Sequence, residues 1–160
     1  MISQTAEYAL RAIVCLARAG GQSQTTQQIA AATMIPPGYL SKVLQALGRA
    51  GLVQAQRGIK GGFALQRDPA FLTLLDVVRV VDVSHRIVTC PLGIHGPNLC
   101  ALHRQLDDAA AQVENALAGR TVAQLMAAPG VPPLRAIPRA ASDPSAGSLC
   151  CQFGDSSCAK

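Results

Sequence analysis

The stretch "TTQQIAAATMIPPGYLSKVLQALGRAG", Thr25–Gly51, decides the fold of this chain. Thr25 and Gln28 stand at the spacing of a capping box, in which two side chains each satisfy a backbone group at a helix start. They open a short helix whose Ile29 and Ala32 face inward. "IPPG" then forces a turn, because proline fixes its own φ and pushes the residue before it out of the helical region. A longer helix follows, with Leu40, Val43, Leu44 and Leu47 on one face and Gly51 as its stop. Short helix, tight turn, longer helix is the plan of a helix-turn-helix.

The flanks complete it. On the N-terminal side, "SQTAEYALRAIVCLARAG" sets Ala6, Leu10, Ile13, Val14 and Leu16 at helical spacing before Gly20-Gly21 end the run. On the C-terminal side the period changes to that of strands. Leu52-Val53 and Phe63-Ala64-Leu65 read as a hairpin around "RGIKGG", a glycine-rich tip with two cations. A further helix begins at Thr73, boxed by Asp76, and "LCALHRQLDDAAAQVENALAG" predicts a long amphipathic helix from about Leu99 to Ala118. Its stripe is Leu102, Leu106, Ala109, Val113, Ala116 and Leu117, with Gly119 as its stop. Thr121 and Gln124 cap a last short helix. The expected fold is mainly α with a small β-hairpin wing: a winged helix-turn-helix plus a long dimerisation helix.

Charge supports a nucleic-acid partner. The net charge is +5, and from Tyr8 through Arg67 there is no Asp or Glu, while Arg11, Arg18, Lys42, Arg49, Arg57, Lys60 and Arg67 are present. A one-sign field attracts a polyanion, although a solvated basic surface has the same composition. A winged helix predicts which residues meet DNA. The second helix-turn-helix element enters the major groove, and the first, starting at Thr26, braces it across the backbone. Pro37, Gly38, Tyr39, Ser41 and Lys42 stand at the start of the reading helix. Ser41 and Lys42 are candidates for base edges, and Tyr39 for a phosphate or for packing in the turn. Arg57, Gly58, Lys60 and Gly61 form the wing tip, where glycine permits close approach and the cations take phosphate or the minor groove.

No apolar run approaches the ~20 residues of a membrane span, and the N-terminus has no charged-then-apolar signal, which predicts a cytoplasmic protein. Without an export signal, the six cysteines favour metal or redox chemistry over structural disulfides. Cys15, in an apolar helical stretch, reads as a buried small hydrophobe. "CPLGIHGPNLCALH", Cys90–His103, sets two cysteines and two histidines within fourteen residues. Zinc accepts two sulfurs and two imidazoles, although this spacing is not a zinc finger's; two unligated thiols or a reversible disulfide are the plainer readings. From Pro129 onward the chain is rich in Pro, Ala and Ser and reads as a disordered tail that carries Cys150, Cys151 and Cys158. No Ser/His/Asp set, phosphate loop or paired carboxylates in a pocket supports an enzyme.

At "EYALRAIVCLA", "IPPGYLSKVLQALGRAGLV" and above all "RGIKGGFAL", the chain resembles the Rrf-type family of winged-helix transcriptional regulators over about residues 1–128. The resemblance implies a homodimer, crossed through the long helix and gripping a pseudo-palindromic double-stranded operator. The apolar stripe independently asks for a partner surface, or else packs on its own domain. In cluster-binding members, three cysteines before the dimer helix hold an iron–sulfur cluster. Here Cys90 matches the first and Cys100 the last, while the middle position falls at His95-Gly96. His103 matches a ligand histidine of one branch, and Glu7 matches a carboxylate ligand that reaches across from the partner subunit in some sensors. The resemblance thus implies a [2Fe–2S] cluster on Cys90 and Cys100 with one or two of His95, His103 and Glu7, imidazole in place of thiolate raising its potential. The implied protein is a regulator, a repressor by family habit, sensing redox state, nitric oxide or iron–sulfur status. The alternative is a metal-free regulator governed by a metabolite, thiol oxidation or a partner protein. The expected division is residues 1–84 for DNA, 85–128 for sensing and dimerisation, and 129–160 for the tail.

Overall fold

Ser3 accepts the Ala6 N–H at 3.1 Å and so starts helix α1 (Gln4–Arg18). Its inner face is built from Ala6, Ala9, Ala12, Ile13 and Leu16, all fully buried. Three alanines on one face let neighbouring helices approach closely, and the helices Thr26–Thr33, Pro37–Arg49, Leu74–Val81 and Val122–Ala127 all pack on α1. The computed structural model describes residues 2–56, 58, 61–82, 86–91 and 98–128. Arg57, Lys60, His95 and the tail 129–160 with its three cysteines lie outside the described residues.

Helix α2 (Thr26–Thr33) has the expected box: the Gln28 N–H donates to Thr25 Oγ1 at 3.2 Å, and the Thr25 N–H donates to Gln28 Oε1 at 2.9 Å. It ends on Met34, a non-glycine residue in the left-handed region with φ 58°. The sequence placed the turn on the prolines alone; the reversal in fact starts one residue before Ile35. Helix α3 (Pro37–Arg49) buries Leu40, Val43, Leu44 and Leu47, and Gly51 follows its end with φ 69°, where an L side chain is disfavoured. Ile13, Leu16, Ile29, Leu40, Leu44 and Leu47 have under 2% of their surface exposed. Each such side chain stabilises the fold by roughly 1.5–3 kcal/mol.

Strands β1 (Val53–Gln56) and β2 (Gly62–Leu65) pair antiparallel, Val53 opposite Leu65 and Gln56 opposite Gly62. Leu52, expected in the first strand, lies just outside it; ladder bonds instead carry β1 on through Gln54, Ala55 and Gln56, and β2 adds Gly62 to Phe63-Ala64-Leu65. Gln24 adds a bridge to the outer edge, exchanging backbone bonds with Phe63 at 2.9 and 2.8 Å. The wing is therefore fastened to the residue that leads into α2. Gln24 is itself buried, and its side-chain Oε1 has no partner among the described residues.

Helix α4 (Leu74–Val81) starts in the predicted Thr73–Asp76 box. Helix α5 (Ala101–Ala118) starts two residues later than the sequence suggested, with Cys100 as its N-cap. Gly119 does follow it, but with a right-handed φ of −73°, so it is not acting as a left-handed stop. Helix α6 (Val122–Ala127) then returns to the core. Thr121 bridges Thr73, the Val122 N–H donates to the Leu72 carbonyl at 2.9 Å, and Val122 is fully buried. The two boxed N-termini of α4 and α6 thus lie side by side. Among the described residues no helix is long and apolar enough to cross a membrane.

Candidate metal centre and nucleic-acid interface

Cys90 precedes α5 in a non-helical segment, Cys100 caps α5, and His103 stands one turn inside it. The fold brings the three together. His103 Nδ1 lies 3.1 Å from Cys100 Sγ and 3.5 Å from Cys90 Sγ, and the three donor atoms all lie within 4.8 Å of one another. Cys100 and His103 meet because i and i+3 share a helix face. Cys90 meets them only through tertiary folding; it is 5% exposed.

The Cys100 thiol is shifted down. The His103 backbone N–H at the open start of α5 is the main cause, helped by the Cys90 side chain and the Leu102 N–H and opposed by partial burial. Cys15 is the contrast: buried in α1, its pKa is pushed up to about 11, as an inert core thiol requires. Two sulfurs, one of them biased toward thiolate, and one imidazole suit soft and borderline transition metals, including an iron–sulfur centre. A group needing four donors would take its fourth from outside this trio.

Glu7 does not join it within this chain. It is exposed on α1 and paired with Arg11, whose Nη1 also donates to the Thr33 carbonyl at 3.5 Å. The predicted ligand His95 lies outside the described residues. What the sequence reading missed is the fastening of Arg86 and Ile87 to Asp107. Those residues stand about twenty positions apart, with no periodicity to link them.

The start of α3 is open. Pro36 is its N-cap with no side-chain cap, and Pro37 carries no N–H. Tyr39 projects with 63% of its surface exposed, and Lys42 is exposed one turn on. A Cβ on Gly38 would meet nothing within 4 Å, so internal packing does not demand that glycine. Ser41 spends its hydroxyl proton on the Pro37 carbonyl at 3.0 Å, which leaves its oxygen as an acceptor. Thr26 is half-buried at the start of α2.

The wing glycines have a nearer cause than the one the sequence suggested. A Cβ on Gly61 would lie 2.6 Å from the Gln56 carbonyl oxygen, and one on Gly62 would lie 2.4 Å from that of Gln24. Gly58 holds φ 118°. The chain's own backbone requires these glycines before any phosphate does. Arg57 and Lys60, the wing cations, lie outside the described residues.

Residues 2–128 match the family model described as Rrf2, iron-dependent transcriptional regulator. A helix-turn-helix-type transcriptional regulator of Aquifex aeolicus is 28% identical over 131 residues, spanning 79% of this chain and 91% of that protein. The regulator NsrR of Geobacillus kaustophilus is 36% identical over 97 residues, 60% of this chain and 65% of its own length. Among solved structures, CymR, the global cysteine regulator of B. subtilis, superposes with a TM-score of 0.64 at 25% identity, covering 79% of this chain and 96% of CymR. IscR of T. potens superposes with a TM-score of 0.65 at 23% identity, covering 79% and 86%, a likeness of fold.

Proposed function

Because the chain belongs to the Rrf2 family of iron-dependent transcriptional regulators, we propose that it is a DNA-binding repressor governed by a [2Fe–2S] cluster on Cys90, Cys100 and His103. The family and the relatives are transcriptional regulators, not enzymes. The observation that carries the reading is the meeting of two sulfurs and an imidazole within 4.8 Å at the start of α5. Glu7 of a second copy or His95 supplies the remaining ligand. Such a cluster would supply a redox- and nitric-oxide-reactive centre. The protein's own contribution is to gather the donors where α5 begins, so that ligation bears on the pose of α5.

In this reading residues 1–84 read DNA, 85–128 sense and dimerise, and 129–160 are an extension. Lys42 and Ser41 reach base edges, while Tyr39, Thr26 and the backbone at Pro37-Gly38 meet phosphate. Arg57, Gly58, Lys60 and Gly61 bring the wing to the adjacent groove or backbone. No residue of α5 is buried, and Leu102 and Leu106 stay 64% and 51% exposed. That face suits a second copy, and a two-fold dimer suits a pseudo-palindromic operator.

The test is anaerobic reconstitution with iron and sulfide. The expected result is visible charge-transfer absorbance and about two irons per chain, the content of one such cluster, with DNA affinity that changes on cluster loss. Absence of charge-transfer bands, with less than about one iron per dimer, would sink the cluster. A second reading draws on the same geometry: the pair Cys90 and Cys100 lies close enough for zinc, or for thiol oxidation or a metabolite to act there without metal. Regulation that survives replacement of both cysteines by Ala points instead to a partner protein or to a ligand bound elsewhere.

A further inference from the structure

Three hydrogen bonds converge on the Asp107 carboxylate. Arg86 donates from Nε to Oδ1 at 2.7 Å and from Nη2 to Oδ2 at 2.8 Å, and the Ile87 N–H donates to Oδ1 at 2.9 Å. The Asp107 side chain is only 15% exposed. A planar guanidinium fork on a carboxylate fixes orientation as well as distance, which a single ammonium contact would not. Asp107 stands four residues beyond His103, on the same face of α5. Ile87 stands three residues before Cys90.

These positions matter because the three donors are held differently. Cys100 and His103 ride on or at the end of one helix, so their relation is local. Cys90 sits in a non-helical segment, and helix geometry says nothing about where its sulfur goes. We propose that Arg86 and Asp107 form a latch that seats Cys90 against His103, acting as positioning residues for the donor cluster and not as ligands. The latch ties the segment carrying Cys90 to the same face of α5 that carries His103, one turn further on. Its role toward a metal rests on the proposed ligand set; the seating itself is a property of the metal-free chain.

The readout is the rate at which iodoacetamide alkylates each cysteine in the full-length, reduced, chelator-treated chain, followed by mass spectrometry. Asp107→Ala and Arg86→Gln are each expected to raise the Cys90 rate about tenfold while Cys15 stays protected. Arg86→Lys, which keeps the charge but loses the fork, is expected to fall between. A Cys90 rate within about twofold of the parent in both variants overturns the latch, as does a rise matched at Cys15, the sign of general unfolding. Iron uptake, measured in parallel, separates the two ideas. Loss of iron in the variants with retention in the parent supports the positioning role. A parent that takes up no iron, while the variants still release Cys90, overturns the ligand reading and supports the seating.

Discussion

At the scale of single residues, the chemistry is set by how each group is solvated and what donates to it. Cys15 and Cys100 carry the same thiol, yet burial in α1 raises one while N–H groups at the start of α5 lower the other. Asp107 shows the same logic for a carboxyl group. The Arg86 fork, then the Ile87 N–H, hold its pKa down at about 2. A folded-state pKa below the unfolded value of about 3.9 means that the ionised group stabilises the fold above that value. The contribution is lost as pH falls from about 4 toward 2. We therefore expect the melting-temperature gap between the parent and Asp107→Asn to be constant from neutral pH to about pH 5 and to close by about pH 2. A gap unchanged at the acid end would contradict the ion pair. These residue-scale features divide sharply in legibility. The donor types in "CPLGIHGPNLCALH" can be read from the chain; that Cys90, Cys100 and His103 meet cannot.

At the scale of elements, every predicted capping box forms, because each depends on a side chain three residues from its own backbone partner. The element that surprises is the turn between α2 and α3. Met34 holds a left-handed φ of 58° with 71% of its surface exposed. A left-handed backbone costs an L residue about 1–2 kcal/mol, and little packing compensates here. Met34→Gly removes that strain at some cost in unfolded-chain entropy, so a net gain of about 0.5–1 kcal/mol is expected in urea denaturation. A loss of stability would mean that the Met34 side chain holds the turn. The wing makes a related point. Its glycines were legible as a hairpin tip, but the approach of β2 to Gln24, which makes Gly62 obligatory, joins segments almost forty residues apart.

At the scale of the whole molecule, α5 is the element left without a roof. Both of its ends are tied down: Arg86 and Ile87 grip Asp107 near its start, and Thr121 bridges Thr73 just past its end. Along its length Leu106 and Val113 remain open, while Leu117 packs on the core. The predicted stripe is thus divided between this chain's own core and a face suited to a second copy. Leu106→Asp would place a charge in the centre of such an interface. Sedimentation is expected to show dimer dissociation raised at least about tenfold, with α-helical content unchanged by circular dichroism. A chain that sediments identically before and after the change excludes this face from self-association.

Sequence alone determined the order of the elements, three capping boxes and the proline turn, because each depends on neighbours within a turn or two of chain, and the acid-free span and the family, which are read from residue types and motifs without any fold. It could not determine that Cys90 joins Cys100 and His103, or that α6 returns its Val122 to the core of α1 and α4. Those outcomes belong to tertiary structure, since each depends on how segments far apart in the chain are fastened together. A carboxylate on α5 that accepts from a backbone some twenty residues away leaves no periodic mark in the sequence.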